Sequence, residues 1–429
     1  MKTASGSQPM HKLLLLFMAA ALVPSSVSAA DGGISGRIFG GKTGIVHPYL
    51  TLSQKYTSNV FKTSDNEEGD FITAVSPGIW MALPGTKEKM VEIDTTNTVP
   101  GGLSLTRRKP KTFKRYQSYL LYSPEFQKYW DYSDEDVTNH RLEGAFQYNL
   151  RGGLSIDIAD LYLNGYEPMG EGISNDQAKY RSNLFNIMLS YDVTKKVGFR
   201  VDFSLFSLDY SKDAYSIADR SDSFVAWYTF YRITEKTSVF AEIEYTDINY
   251  DVSELYDSVE TRYFAGFKWD VTAKSRGEVK VGYGTKTFDE SGVESAGDLV
   301  VELRVDHEFT PKTAAGLTIL RRTNETTIVD TDYAVVNSFA VDYLQKFTER
   351  ISADAEVLYV FETYEGAIDY GTSVQERSDT KLKLSLSGTY EFNERYFAEI
   401  GYSFTNRDSN VSSFDYADNT ITVSATGTF

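Results

Sequence analysis

The sequence ends Thr420-Ile421-Thr422-Val423-Ser424-Ala425-Thr426-Gly427-Thr428-Phe429. Ile421, Val423, Ala425, Gly427 and Phe429 share one parity, and Thr420, Thr422, Ser424, Thr426 and Thr428 share the other. A strand turns successive side chains to opposite faces, so this stretch has an apolar side and a hydroxyl side. A strand of this kind, running to an aromatic last residue, is the form expected where a transmembrane β-barrel closes by pairing its last strand with its first. The parity assigns Ile421, Val423, Ala425 and Phe429 to lipid and the Thr/Ser row to the interior.

At the other end, residues 1–29 read as a secretory signal. Lys12 precedes the apolar run Leu13–Val23, and Val27-Ser28-Ala29 offers a small-residue cleavage pattern. That run is too short to cross a bilayer as a helix. Residues 30–45 form a Gly-rich periplasmic lead-in, and 46–429 the barrel. The chain carries 60 acidic against 43 basic residues, which speaks against nucleic acid as a partner, since phosphate neutralisation needs clustered Lys and Arg. It has no cysteine, which removes disulfides and thiol chemistry together. Its 30 Tyr and 26 Phe, with a mean hydropathy of −0.33, suit strands with one lipid face, one wet face and aromatic girdles.

Counted back from the closing strand, the chain alternates short and long connectors. Tight turns fall near Arg151-Gly152, Thr194–Lys196, Thr234–Lys236, Thr272–Arg276, Thr310–Lys312, Thr348–Arg350 and Asn393–Arg395. Longer, often acidic loops lie between them, including Gly165–Lys179, Ser211–Asp219 and Glu365–Gln375. Short periplasmic turns and long external loops are the signature of an outer-membrane barrel. The fold class is therefore all-β: a transmembrane antiparallel up-and-down β-barrel of about 18 strands, 16–18 fitting the pattern. Pro77-Gly78 predicts a bulge in the second strand. Residues 84–115 break the rhythm and end in a basic run of Arg107, Arg108, Lys109, Lys111, Lys114 and Arg115. They read as a basic periplasmic insert, either a solvated turn or a docking segment.

Strand parity also separates charge from apolar surface. Val239, Ala241, Ile243 and Tyr245 alternate with Glu242, Glu244 and Thr246. A charge facing mid-bilayer costs about 2–4 kcal/mol, so the charged parity faces the lumen. The residues placed there are Glu143, Asp157, Arg200, Asp202, Glu242, Glu244, Arg262, Lys268, Asp270, Lys280, Glu302, Arg304, Asp306, Glu356, Lys381, Lys383 and Glu399. Acids and bases interleave across neighbouring strands, which fits cross-strand pairing as well as selectivity. Eighteen strands leave room for an aqueous channel.

An enzyme is not indicated. His47, His140 and His307 lie in no recognisable nucleophile or zinc motif, and no cofactor or metal is expected. Asp219-Arg220-Ser221-Asp222 reads as a solvated loop in preference to a Ca²⁺ site or a cation bridge to lipopolysaccharide.

Tyr56-Thr57-Ser58-Asn59-Val60-Phe61, Asp70-Phe71-Ile72-Thr73 and Val75-Ser76-Pro77-Gly78 resemble the opening hairpin of an outer-membrane β-barrel porin family that includes exopolysaccharide-associated EpsL-like barrels. The resemblance covers about thirty residues. It implies an outer-membrane location in a Gram-negative bacterium and, for some members, polysaccharide export with a periplasmic export protein. The expected function is a channel translocating exopolysaccharide, with a general or solute-selective diffusion porin and a structural or adhesive barrel as alternatives. The expected partners are outer-membrane lipid and lipopolysaccharide, and the barrel-assembly machinery through the last strand. The chain is expected to be a monomer.

Overall fold

The computed structural model describes residues 45–83, 91–102, 104–107, 115–167, 177–252, 256–272, 274–290, 293, 295–326, 328, 331–369 and 374–429. The expected signal segment and nearly all of the lead-in lie outside them. In chain order the strands begin with β1 (Val46–Thr57), β2 (Asp70–Leu83), the short β3 (Val91–Asp94) and β4 (Ser104–Arg107), and β5 (Tyr116–Tyr129). There follow β6 (Val137–Asn149), β7 (Leu154–Glu167), β8 (Ala178–Asp192), β9 (Val197–Tyr210), β10 (Arg220–Thr234), β11 (Thr237–Tyr250) and β12 (Ser258–Thr272). The series ends with β13 (Ser275–Phe288), β14 (Ala296–Thr310), β15 (Thr313–Asn324), β16 (Tyr333–Lys346), β17 (Ile351–Asp369), β18 (Val374–Glu391), β19 (Tyr396–Ser409) and β20 (Tyr416–Thr428).

Among the described residues, all of these strands except β3 and β4 form one 18-stranded antiparallel sheet. Each pairs with the next in sequence, β2 pairs with β5 across the insert, and β1 pairs with β20 to close the ring. The seam runs from Tyr49 opposite Thr428 to Thr57 opposite Thr420, and the Phe429 N–H donates to Pro48 O at 2.8 Å. Inside it Thr51 and Thr426 share a hydroxyl–hydroxyl bond of 2.9 Å. At its far end Asp418 accepts from Thr57 Oγ1 at 2.7 Å, from the Ser58 and Asn59 N–H groups, and from Lys62. An even strand number puts both ends of the barrel chain at one rim, the periplasmic one, which also carries the short turns.

The outer wall follows parity. Leu50, Leu52, Ile243, Tyr245, Leu386, Ile400, Ile421 and Val423 are exposed, while their strand neighbours Thr51, Glu242, Glu244 and Ser424 are buried inside. Two details differ from the sequence reading. There is no bulge at Pro77-Gly78: Val75 faces Phe126 and Ile79 faces Tyr122 in unchanged register, and the ladder only lapses between them. Pro77 and Pro124 both fall in that gap, and neither has an N–H to give. Much of the expected loop Glu365–Gln375 is strand, because the β17–β18 hairpin continues past a register shift between Tyr364 and Ile368. Gly366 supplies the positive φ (115°) there.

Candidate functional site: the lumen and its mouth

The inner wall is divided. On β2 and β5–β9 it is largely apolar, with Trp80, Tyr119, Leu121, Leu161, Leu184, Met188, Phe206 and Leu208 all buried in one cluster. From β9 round to β15 it is charged. Arg200 donates to Asp202 and stacks over the Tyr228 ring at 4.6 Å. Lys280 Nζ lies 3.0 Å from Glu242 Oε1, 3.3 Å from Glu244 Oε1 and 3.3 Å from Glu302 Oε2. Arg262 bonds Glu260 at 2.7 Å and Glu244 at 3.4 Å.

A recurrent device explains much of this order. Arg141 and Glu143, Arg200 and Asp202, Arg220 and Asp222, Glu260 and Arg262, Arg377 and Asp379 are each two residues apart on one strand, and each pair is bonded. Positions i and i+2 share a face, so a strand can carry a buried cation and its counter-ion together.

Of the residues predicted to line the lumen, Glu143, Asp157, Asp202, Glu242, Glu244, Arg262 and Lys280 are buried on the inner face. Arg200, Glu302, Asp306, Lys381, Lys383 and Glu399 are half-buried, and Lys268, Arg304 and Glu356 are exposed on the same parity. Towards the periplasmic rim Lys268 pairs with Glu278, and Asp306 with Arg276 and Arg304. The side chain of Asp270 lies outside the described residues. So do Arg108, Lys109, Lys111 and Lys114 of the expected docking run. Arg107 is described only as backbone in β4, and Arg115 is exposed against the ring and hydroxyl of Tyr148.

The insert is where the sequence reading needs correction. β2 ends and β5 begins at the periplasmic rim, yet residues 95–102 between β3 and β4 lie inside the barrel at its opposite, external end. β3 runs beside β7, and the turn at Pro100–Gly102 sits against β9, β10 and β11. Arg220, at the external end of β10, donates to Asn97 O at 2.7 Å and Val99 O at 3.2 Å. Asp222 Oδ2 accepts the Gly101 N–H at 2.9 Å. The Glu325 N–H, just past β15, donates to Thr98 O at 2.7 Å. Asn97 Nδ2 donates to Glu167 Oε1 at 2.8 Å, and Tyr210 OH donates to the same oxygen at 2.6 Å. A segment confined to the periplasm therefore does not describe residues 95–102. The described part of the insert is a short hairpin beside β7 with its tip lodged in the external mouth.

The tip explains residues that the sequence reading missed. Arg220 and Asp222 are lumen residues of β10, 1% and 2% exposed, not parts of a solvated loop. Lys286 and Glu325 bond at 2.6 Å, and Tyr250 OH donates to Glu325 at 2.8 Å. The i,i+2 charge pattern at Arg220-x-Asp222 was a usable signal. Nothing local in the sequence marks Glu325, which acts only because β15 leaves β14 after Arg321 opposite Val301 and continues along β16.

No curated protein matches the chain. Three solved outer-membrane proteins cover most of it at low identity. OccAB4 of Acinetobacter baumannii is 11% identical with a TM-score of 0.45, over 90% of this chain and 99% of that one. OpdK of Pseudomonas aeruginosa with vanillate is 8% identical at 0.46, over 90% and 100%. OccK2 (OpdF) of Pseudomonas aeruginosa in complex with glucuronate is 8% identical at 0.46, over 91% and 100%. A family model described as "Putative beta-barrel porin 2" matches residues 112–429, well over half of the sequence. The chain accordingly belongs to that porin family, a barrel of the Gram-negative outer membrane and not an enzyme.

Proposed function

We propose that the protein is a selective diffusion channel for small solutes whose mouth is closed by its own insert. The observation that carries this reading is the tip at 97–101, bonded to Arg220 and Asp222 of β10 and to Glu325 beyond β15 at the external end of the lumen. The diffusion channel fits better than polysaccharide export. Many of the lumen charges, Lys280 and Arg262 among them, are already engaged in ion pairs, and a segment of the chain itself lies in the mouth. The apolar arc on β5–β9 is then a seat for the hairpin, and the charged arc on β9–β15 borders the path that opens when the tip leaves. A periplasmic partner would meet Arg115, which is exposed one residue before β5 at the periplasmic rim.

Planar-bilayer recording tests the reading. The full chain is expected to show rare openings, and a variant lacking residues 95–102 a steady ion conductance. Equal conductance of the two would remove the plug from the account, and silence of both would remove the channel.

A further inference from the structure

Among the described residues, four of the six hydrogen bonds between the tip and the wall address its backbone. Arg220 grips two carbonyls, the Glu325 N–H a third, and Asp222 one N–H. The other two go to side chains of the tip, Glu167 with the Asn97 amide and the Asn324 amide with the Thr98 hydroxyl at 3.4 Å. Backbone groups are common to every peptide, so this wall recognises peptide as such.

Arg220 and Glu325 also have partners outside the tip. Arg220 is held by both oxygens of Asp222 at 3.1 Å and lies 5.3 Å from the centre of the Phe206 ring. Glu325 is held by Lys286 and Tyr250. Withdrawing the tip would leave the Arg220 N–H groups and an Asp222 oxygen short of partners in a confined space, which is costly unless something replaces it. The two charge pairs are each neutral, so the replacement need carry no net charge. Shape adds a further demand. Gly101 and Gly102 have φ of 68° and 63°, and a Cβ on them would meet Phe224 Cβ at 3.0 Å and Phe206 Cδ2 at 2.2 Å. The floor of the site accepts two adjacent glycines and little else.

We propose that the mouth is a binding site for short, uncharged, glycine-containing oligopeptides arriving from outside, and that residues 97–102 are its built-in occupant. An external peptide carrying two carbonyls ahead of a Gly-Gly step competes with the tip for the same seat. This rests on the channel reading above, but binding can be measured apart from conduction.

The test uses the purified barrel lacking residues 95–102 and the capped peptide Asn-Thr-Val-Pro-Gly-Gly. Titration calorimetry in detergent is expected to show one site. Added to the external side of a bilayer, the same peptide is expected to reduce the variant's conductance. Replacing both glycines of the peptide by alanine, or introducing Arg220→Met in the barrel, is expected to weaken binding about tenfold or more, since each removes charged hydrogen bonds or the fit they require. Equal binding of the Gly-Gly and Ala-Ala peptides, or no binding by calorimetry, overturns the proposal. A variant that binds peptide but never conducts leaves the site standing and removes the channel reading instead. In the intact protein excess peptide is expected to displace the tip, read as faster external proteolysis within 95–102, and unchanged protection overturns the competition.

Discussion

Lys286 donates to Glu325 across 2.6 Å with both side chains 1% exposed, and the backbone N–H of that same Glu325 holds Thr98 of the insert at 2.7 Å. One buried ion pair thereby fixes the residue that latches the plug. Breaking one side of such a pair strands the other charge, at about 3–5 kcal/mol. Glu325→Gln is expected to raise the open probability strongly in bilayer recordings. The double substitution Lys286→Leu with Glu325→Leu removes both charges and is expected to open less than the single one. If Glu325→Gln gates like the parent, the pair does not position the latch.

The same carboxyl sets a pH dependence. Burial pushes Glu325 up, but Lys286 and Arg220 outweigh it and hold the group below its ordinary value of 4.5. A depressed carboxyl contributes its full stabilisation above the ordinary value and loses it as pH falls through the lower, folded one. The latch is therefore expected to hold at neutral and mildly acidic pH and to weaken only below about pH 4.5. An open probability that climbs between pH 7 and pH 5 would point to a different group.

Gly102→Ala separates the tip from the barrel. The substitution puts a Cβ into Phe206 and forces a left-handed φ on alanine, which costs about 1–2 kcal/mol before any clash. It is expected to dislodge the tip, seen as faster proteolysis within 95–102 from the external side, with no change in barrel melting. Phe206→Ala in the same chain is expected to restore protection partly, by removing the clash but not the backbone strain. Gly152→Ala, where the φ is 110° but nothing lies within 4 Å, is expected to leave the tip untouched.

The barrel was legible in the sequence because a strand writes its two environments at alternate positions. Ile421 and Val423 against Thr422 and Ser424 show it residue by residue, and the tight turns at 194–196, 234–236 and 393–395 punctuate it. The plug was not legible, for a physical reason. Residues 95–102 are a polar, turn-rich Thr-Thr-Asn-Thr-Val-Pro-Gly-Gly, a composition equally suited to a solvated loop. Their burial comes from bonds to Arg220, Asp222 and Glu325, which lie more than a hundred residues away. Parity placed charges inside but could not tell a conducting surface from self-paired ions such as Arg262 with Glu260. It was also silent on the apolar arc of Leu161, Leu184 and Met188, which reads like any lipid-facing row until the register assigns it inward.

Register makes its own prediction at the seam. Val423 is exposed on the outer wall and Thr422 lies on the inner parity, one residue apart on β20 and both within the β1 pairing. Val423→Arg is expected to destabilise the barrel by about 2–4 kcal/mol, read by urea titration in lipid vesicles. Thr422→Arg is expected to cost much less. Equal costs would mean that the two faces are wrongly assigned.

Lys280 offers the clearest handle on selectivity, because three carboxylates from two strands converge on it: Glu242 and Glu244 from β11 and Glu302 from β14. Its Nζ also lies 4.2 Å from the Phe264 ring centre, so the cation is held from several sides and little of its field reaches the path. Lys280→Met leaves those acids without their shared counter-ion, with Arg262 still bonded to Glu244. In the variant lacking residues 95–102, where conduction does not wait on the latch, Lys280→Met is expected to raise the permeability of K⁺ over Cl⁻ severalfold, read as a shift in reversal potential under a salt gradient, and the shift should shrink as ionic strength rises. Lys280→Arg keeps the charge and is expected to leave the reversal potential near the parent's. If the methionine variant keeps the parent's selectivity while still folding, the Lys280 cluster holds the wall together and the path runs elsewhere, along the exposed Lys268, Arg304 and Glu356.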